Sequence, residues 1–267
     1  MKKILFLILL IFILIYSFYS GKTSQNKNSI SVDGSSSMEK LINILGEVFE
    51  QQNNVSILYN PTGSSAGIKS VIDNRTDIGL SSRNIKESEL KNNIKFNTIA
   101  YDGIAIIVNS ENNIKNLDIN TLKDIFTKKI TNWKEVGGSN SEIILIGREA
   151  GSGTRDGFES ITNTVDECIY KQELTSNGDV VTSVSKNSNA IGYTSLANIK
   201  GNVNVLSIDN VMPNPTTIKN GSYKIQRPFN LITNNNVLSD DVNNFLKFIY
   251  SDYGRDLISK CGLIPIN

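Results

Sequence analysis

The chain has 267 residues, carries 27 Lys and Arg against 26 Asp and Glu, and contains no histidine. A net charge of +1 gives no wide basic surface for nucleic acid. The missing histidines exclude Ser-His-Asp and Cys-His catalysis, histidine zinc ligands and a histidine pH switch. With 39% hydrophobic and 20% charged residues the composition fits a globular core under a polar, Asn- and Ser-rich surface, and the length allows one or two lobes.

The chain opens with Met1-Lys2-Lys3, an apolar run from Ile4 to Tyr16, and then Ser17 to Gly21, which is the order of an export signal. Residues 1–20 read as a signal peptide or as a retained N-terminal membrane anchor, because Phe18 and Tyr19 make a poor small-x-small cleavage site. No cysteine lies near enough to carry a lipid. Residues 21–28 are polar and aperiodic, a linker to the folded body. The expected location is therefore outside the cytoplasmic membrane, in the periplasm or on the outer membrane face, with or without a tether. Cys168 and Cys261 are then in a compartment that permits disulfides, and their spacing leaves pairing open.

From about Ser29 short apolar strands alternate with helical patterns. Ile30 to Val32, a helix over Met38 to Phe49, Val55 to Tyr59, a helix over Ala66 to Asp73, and Asp77 to Leu80 give a βαβαβ order. Met38, Leu41, Ile42, Leu45, Val48 and Phe49 recur at a 3.6-residue period, so this helix buries one face. Ile99 to Val108 is a long strand interrupted by Gly103, after which a helix is expected over Thr121 to Phe126 and turns over Asn132 to Asn140. Trp133, in those turns, is expected to pack a core. Strands at Ile143 to Ile146, Ala190 to Tyr193 and Val203 to Leu206, with helices over Asp156 to Thr164 and Val180 to Asn187, repeat the α/β pattern in a second lobe. Tyr223 to Thr233 is extended, with Pro228 pointing to an edge or crossing strand rather than a central one. A single closing helix is expected over Ser239 to Leu257.

A glycine-serine turn recurs three times between a strand and a helix: Asp33-Gly34-Ser35-Ser36-Ser37, Thr62-Gly63-Ser64-Ser65-Ala66-Gly67 and Gly151-Ser152-Gly153-Thr154. Helix N-termini expose unpaired N–H groups and attract anions, glycine permits close approach, and Ser or Thr adds hydroxyl donors. Each turn alone also reads as ordinary capping, and Ser36-Ser37-Met38-Glu39 has the form of a capping box. Arg148, three residues before Gly151, adds a planar fork suited to a tetrahedral oxyanion. No turn supplies the Lys of a nucleotide P-loop and no G-x-G-x-x-G is present, so a small dehydrated oxyanion fits better than a polyphosphate.

These residues, together with Asp77-Ile78-Gly79-Leu80-Ser81-Ser82-Arg83, Asp102-Gly103-Ile104-Ala105, Ile130-Thr131-Asn132-Trp133-Lys134-Glu135-Val136-Gly137-Gly138 and Arg148-Glu149-Ala150-Gly151-Ser152-Gly153-Thr154, resemble the phosphate-binding proteins of bacterial phosphate ABC transporters, a family of periplasmic solute-binding proteins. The resemblance covers essentially the whole exported chain. It implies an α/β, two-lobed periplasmic-binding-protein fold of type II, with a ligand cleft between lobes joined by two crossing strands. The lobes would be 29–105 plus 225–267, and 106–224. Phosphate would meet Ser36, Ser37, Ser64 and Ser82 from one lobe and Arg148, Ser152, Gly153 and Thr154 from the other.

Many members of that family carry Asp at the positions of Ser82 and Ala150, and both are absent here. A buried acceptor admits the P–OH of phosphate and repels fully ionised sulfate, so discrimination would move to Ser82, Asp102, Asp156 or a backbone carbonyl. The resemblance implies a monomer without a cofactor or metal, which binds inorganic phosphate and delivers it to a membrane ABC permease. The alternatives are another oxyanion such as sulfate, molybdate or tungstate, a sensor or adhesion protein on the same fold, and a phosphate-ester hydrolase. The last lacks any histidine and any compact Asp/Glu cluster with metal spacing. Arg83 and Arg155 are expected at the rim, in salt bridges with Asp156 or Glu149.

Overall fold

A computed structural model describes residues 28–236 and 238–266. The expected signal or anchor lies outside the described residues, as does the linker up to residue 27. Among the described residues no helix is long and apolar enough to cross a membrane.

The N-terminal part is βαβαβ as its pattern implies: β1 (Asn28–Gly34), α1 (Glu39–Gln52), β2 (Val55–Asn60), α2 (Ser64–Ile72) and β3 (Ile78–Ser81). β1 pairs in parallel with both β2 and β3. Helix α1 buries Leu41, Ile42, Leu45 and Phe49, one face at helical period, against the sheet. The short α3 (Glu87–Leu90) leads into β4 (Ile94–Asn109), longer at both ends than its apolar run suggests.

The second half-sheet follows. β5 (Asn116–Leu117), α4 (Ile119–Phe126), β6 (Ile144–Arg148), α5 (Gly153–Thr162), β7 (Gln172–Leu174), α6 (Asn177–Ser185), β8 (Ala190–Ser195), β9 (Val203–Val205), β10 (Ser207–Ile208) and α7 (Pro215–Lys219) come in that order. β11 (Gln226–Asn234) then returns to the first half-sheet, and α8 (Asp240–Tyr250), α9 (Asp252–Lys260) and β12 (Ile264–Pro265) close the chain.

β4 belongs to both halves. Ile94 to Gly103 pair antiparallel with β11, whereas Ile104 to Asn109 pair with β8 and β9. The chain crosses back just before β11, where Ile104 N–H donates to the Ile225 carbonyl at 2.8 Å. Side chains alternate along the second part of β4, with Ile104, Ile106 and Val108 in one apolar cluster and Ala105 and Ile107 in another. Both faces are covered, which is why this stretch reads as a continuous apolar run.

One core gathers β1, β3, α1, α8 and α9 around Val32, Leu45, Leu80, Phe245 and Ile258. The next is aromatic, with Phe158 stacked on Tyr193 at 4.3 Å and Phe126 at 4.7 Å from Phe158. Trp133 is buried there and its Nε1–H donates to the Asn189 carbonyl at 2.9 Å. Cys261 sits in the first core and Cys168 beside the second, both as free thiols.

Three expectations are corrected. The closing helix is two helices, because Ser251 is extended and its hydroxyl caps α9 by accepting from Gly254 N–H at 3.1 Å. β11 is a central strand despite Pro228, which is tolerated because β3 pairs only with Asn230 to Ile232, leaving the Pro228 end open on that side. The capping box at Ser36 is not formed. Residues 36–38 make a 3-10 turn capped by Ser35, and α1 starts after Met38 without a side-chain cap.

Candidate anion-binding cleft

The three glycine-serine turns meet where the two half-sheets face each other. Gly34 ends β1 at a positive φ of 137° that an L side chain rarely adopts, so the chain turns at once into Ser35-Ser36-Ser37. Ser64 opens α2 and Ser82 follows β3, with Ser82 N–H donating to Ser64 Oγ at 3.0 Å. Across the cleft Arg148 ends β6 and Ser152, Gly153 and Thr154 form the start of α5.

Side chains of the two halves touch directly. Ser37 Oγ and Thr154 Oγ1 are 2.9 Å apart, Arg148 Nη2 donates to Ser36 Oγ at 3.3 Å, and Ser65 N–H donates to the Gly151 carbonyl at 3.1 Å. Ser36, Ser37, Ser64, Ser82, Arg148, Ser152 and Thr154 are all buried. Gly153 packs so closely that a Cβ there would lie 2.6 Å from Ser82 Oγ and 3.0 Å from Ser64 Cβ. Seven of the eight expected site residues thus converge, and Ser152, buried beside them, also caps α5 by accepting from Arg155 N–H at 3.4 Å, which leaves its own O–H as a donor.

Arg148 is gripped from one side only. Its Nε and Nη2 donate to the carbonyls of Leu174 and Thr175 at 2.9 and 2.8 Å and to the Glu149 carboxylate, while Nη1 is buried without a hydrogen-bond partner. Such a donor is costly to leave unmatched. An oxyanion among these hydroxyls would satisfy it.

The structure adds residues that the turns did not reveal. Asn177, at the start of α6, donates from Nδ2 to Ser37 Oγ at 3.0 Å, and its Oδ1 accepts from Ser195 N–H at 3.0 Å. The preceding Ser176 is an N-cap, so Ser176-Asn177-Gly178 is a fourth turn of the same type and was legible as such. Arg227 on β11 reaches Ser37 Oγ at 2.9 Å and Ser82 Oγ at 3.2 Å, with Asp102 behind it. Nothing local in the sequence signals that placement.

Arg83 bridges the cleft, bonding Glu89 at 2.7 Å on its own side and Asp156 at 2.8 Å on the other. Burial opposes its charge, but the bonds and charges of Glu89 and Asp156 hold its pKa above the ordinary arginine value. Arg155 pairs with Glu159 and Glu173 rather than with Asp156 or Glu149, and lies over the Tyr170 ring. Among the described residues no group of three or more His, Cys, Asp or Glu side chains is placed to hold a metal ion.

A family model described as a PBP superfamily domain matches residues 21–253. The phosphate-binding protein PstS of Borreliella burgdorferi is 30% identical over the whole chain and 99% of its own length. The chain belongs to the PBP superfamily and, within it, to the PstS family. A Clostridium perfringens phosphate ABC transporter substrate-binding protein, solved with bound phosphate, superposes with a TM-score of 0.87 at 38% identity over 90% of this chain and 100% of its own. The ABC-type phosphate transport receptor of Vibrio cholerae gives 0.73 at 31% identity, over 88% and 99%. The fold is therefore the two-lobed periplasmic-binding fold, and the junctions through β4 and before β11 are its crossing strands.

Proposed function

We propose that this chain is an extracytoplasmic solute-binding protein that captures inorganic phosphate between its lobes and delivers it to an ABC permease. The observation that carries the reading is the buried meeting of Ser36, Ser37 and Ser82 with Thr154 and the half-partnered Arg148 guanidinium. The PstS relative and the phosphate-bound Clostridium perfringens structure support the same ligand. The chain is a binding protein and not an enzyme. We take the lobes as 29–105 plus 225–267 and 106–224; the separate apolar cores support this division except at its edges, where Ile104, Ala105 and Ile225 pack with the second lobe.

In this reading open lobes admit phosphate, donors on both sides replace its water shell, and a hinge motion about the crossing strands buries it. Charge-assisted hydrogen bonds contribute roughly 1.5–3 kcal/mol each. A handful of them offsets dehydration and reaches a micromolar constant, about 8 kcal/mol. The protein works as a monomer held near the membrane by residues 1–20 or freed from them, and the closed form is what the permease recognises.

Arg148→Ala removes the guanidinium and should weaken phosphate binding about tenfold or more in titration calorimetry. Unchanged affinity would remove Arg148 from the site. Tighter binding of sulfate, molybdate or tungstate than of phosphate would reassign the ligand within the oxyanion class.

A further inference from the structure

Asp102 and Arg227 are direct cross-strand partners in the β4–β11 ladder, at the point where the chain passes between lobes. Both are almost wholly buried, and Asp102 Oδ2 accepts from Arg227 Nη2 at 3.0 Å and Nε at 3.3 Å. Held from behind in this way, the guanidinium turns its two terminal nitrogens to Ser37 Oγ and Ser82 Oγ. Those hydroxyls are the ones that face the α5 turn, Ser37 through Thr154 and Ser82 through the backbone of Gly153. Arg148 reaches Ser36 from the opposite lobe, so two guanidinium groups flank the Ser36-Ser37 pair, each also paired with a carboxylate, Asp102 or Glu149. No carboxylate is bonded to Ser36, Ser37, Ser64, Ser82 or Thr154 among the described hydrogen bonds.

We propose that Arg227, positioned by Asp102, is a second ligand-contacting guanidinium of the cleft and makes it select the doubly charged form of phosphate. The inference rests on the phosphate reading above. Two cations attract a dianion twice as strongly as a monoanion, whereas a carboxylate acceptor would favour the protonated ligand. Ser82, which faces Gly153 across the cleft, offers a hydroxyl and no carboxylate, and Arg227 donates to it.

The groups facing Arg227 come from every neighbouring element. They are Asp102 on β4, Arg148 on β6, Tyr193 on β8, the Phe229 ring 5.5 Å away on its own strand, and Gly157 of α5 against its stem, with Arg83, Lys86 and Asp156 around the adjoining cavity. Burial pushes the Asp102 carboxyl up and the Arg227 guanidinium down, and each partner's charge opposes the shift of the other. The Arg148 charge adds to the lowering of Arg227, a repulsion that an anion between them relieves.

Phosphorus-31 NMR of phosphate bound to the full chain, from pH 5 to pH 9, reads the ligand's own protonation. In the wild type bound phosphate should lose its second proton about one pH unit or more below free phosphate. In Arg227→Gln that titration should move back up by about one unit with affinity at pH 8 falling about tenfold, and Arg227→Lys should restore most of both. Identical titrations in wild type and Arg227→Gln would overturn the proposal. So would wild-type phosphate that stays monoanionic through neutral pH, a result that needs no variant to fold. Absence of any phosphate binding by the wild type would instead overturn the functional reading beneath it.

Discussion

A methyl group on Gly153 would lie 2.6 Å from Ser82 Oγ, across the cleft from its own helix. The position is the first of α5 and its φ is not positive, so alanine suits the local backbone. The cost therefore falls on closure, not folding. Overpacking of this kind costs about 1–3 kcal/mol, so Gly153→Ala should weaken phosphate binding about tenfold in calorimetry with little change in the melting temperature of the ligand-free protein. Ser64, Ser82 and Gly153 were implied by the family resemblance, position by position, and the geometry joins them. Ser152 is different. Its hydroxyl also caps α5 by accepting from Arg155 N–H, a bond that uses a lone pair and leaves its O–H as a donor. Arg227 escaped altogether and Asp102 was named only as a candidate acceptor, since the two lie far apart in sequence and meet only through strand register.

Elements follow their periodicity where tertiary contacts agree with it. α1 and the βαβαβ order were legible because Leu41, Ile42, Leu45 and Phe49 mark a face and the strands between are short and apolar. The closing helix misled because Leu257 and Ile258 continue the apolar period of Val242, Phe245 and Ile249 and enter the same core. What interrupts it is chemistry, not periodicity. The Ser251 hydroxyl donates to the Phe248 carbonyl at 2.6 Å and accepts from Gly254 N–H, offering the backbone partners outside the helix ladder. Ser251→Ala should cost about 1 kcal/mol and lower the melting temperature by about 2–4 °C, while phosphate affinity stays unchanged. Equal stability of the variant would show that α9 is held by packing of Leu257 and Ile258 alone.

At the scale of the whole molecule the lobes also meet outside the hydroxyl cluster. Arg83, only 4% exposed, ties its own lobe through Glu89 and the opposite one through Asp156. Asp156→Asn removes the cross-cleft half of that pair and leaves Arg83 its Glu89 partner. Phosphate affinity should fall about fivefold and become less sensitive to salt. Small-angle scattering of the variant at subsaturating phosphate should report a larger average radius than the wild type under the same conditions. Identical affinity and salt response would mean that the hydroxyl cluster alone holds the closed form.

The sequence by itself determined the α/β alternation, the cores that α1 and β4 build, and the three glycine-serine turns between strand and helix, because periodicity and turn chemistry are local. The near-neutral charge and the missing histidines also belong to the sequence, and they leave binding through N–H groups, hydroxyls and guanidinium as the available chemistry. Only the tertiary structure decided that the turns converge, that Asn177 and Arg227 join them, and that Asp102 faces Arg227. Those facts depend on strand register and on how two lobes meet. Both come from pairing energies between residues far apart in the chain, which no local pattern records.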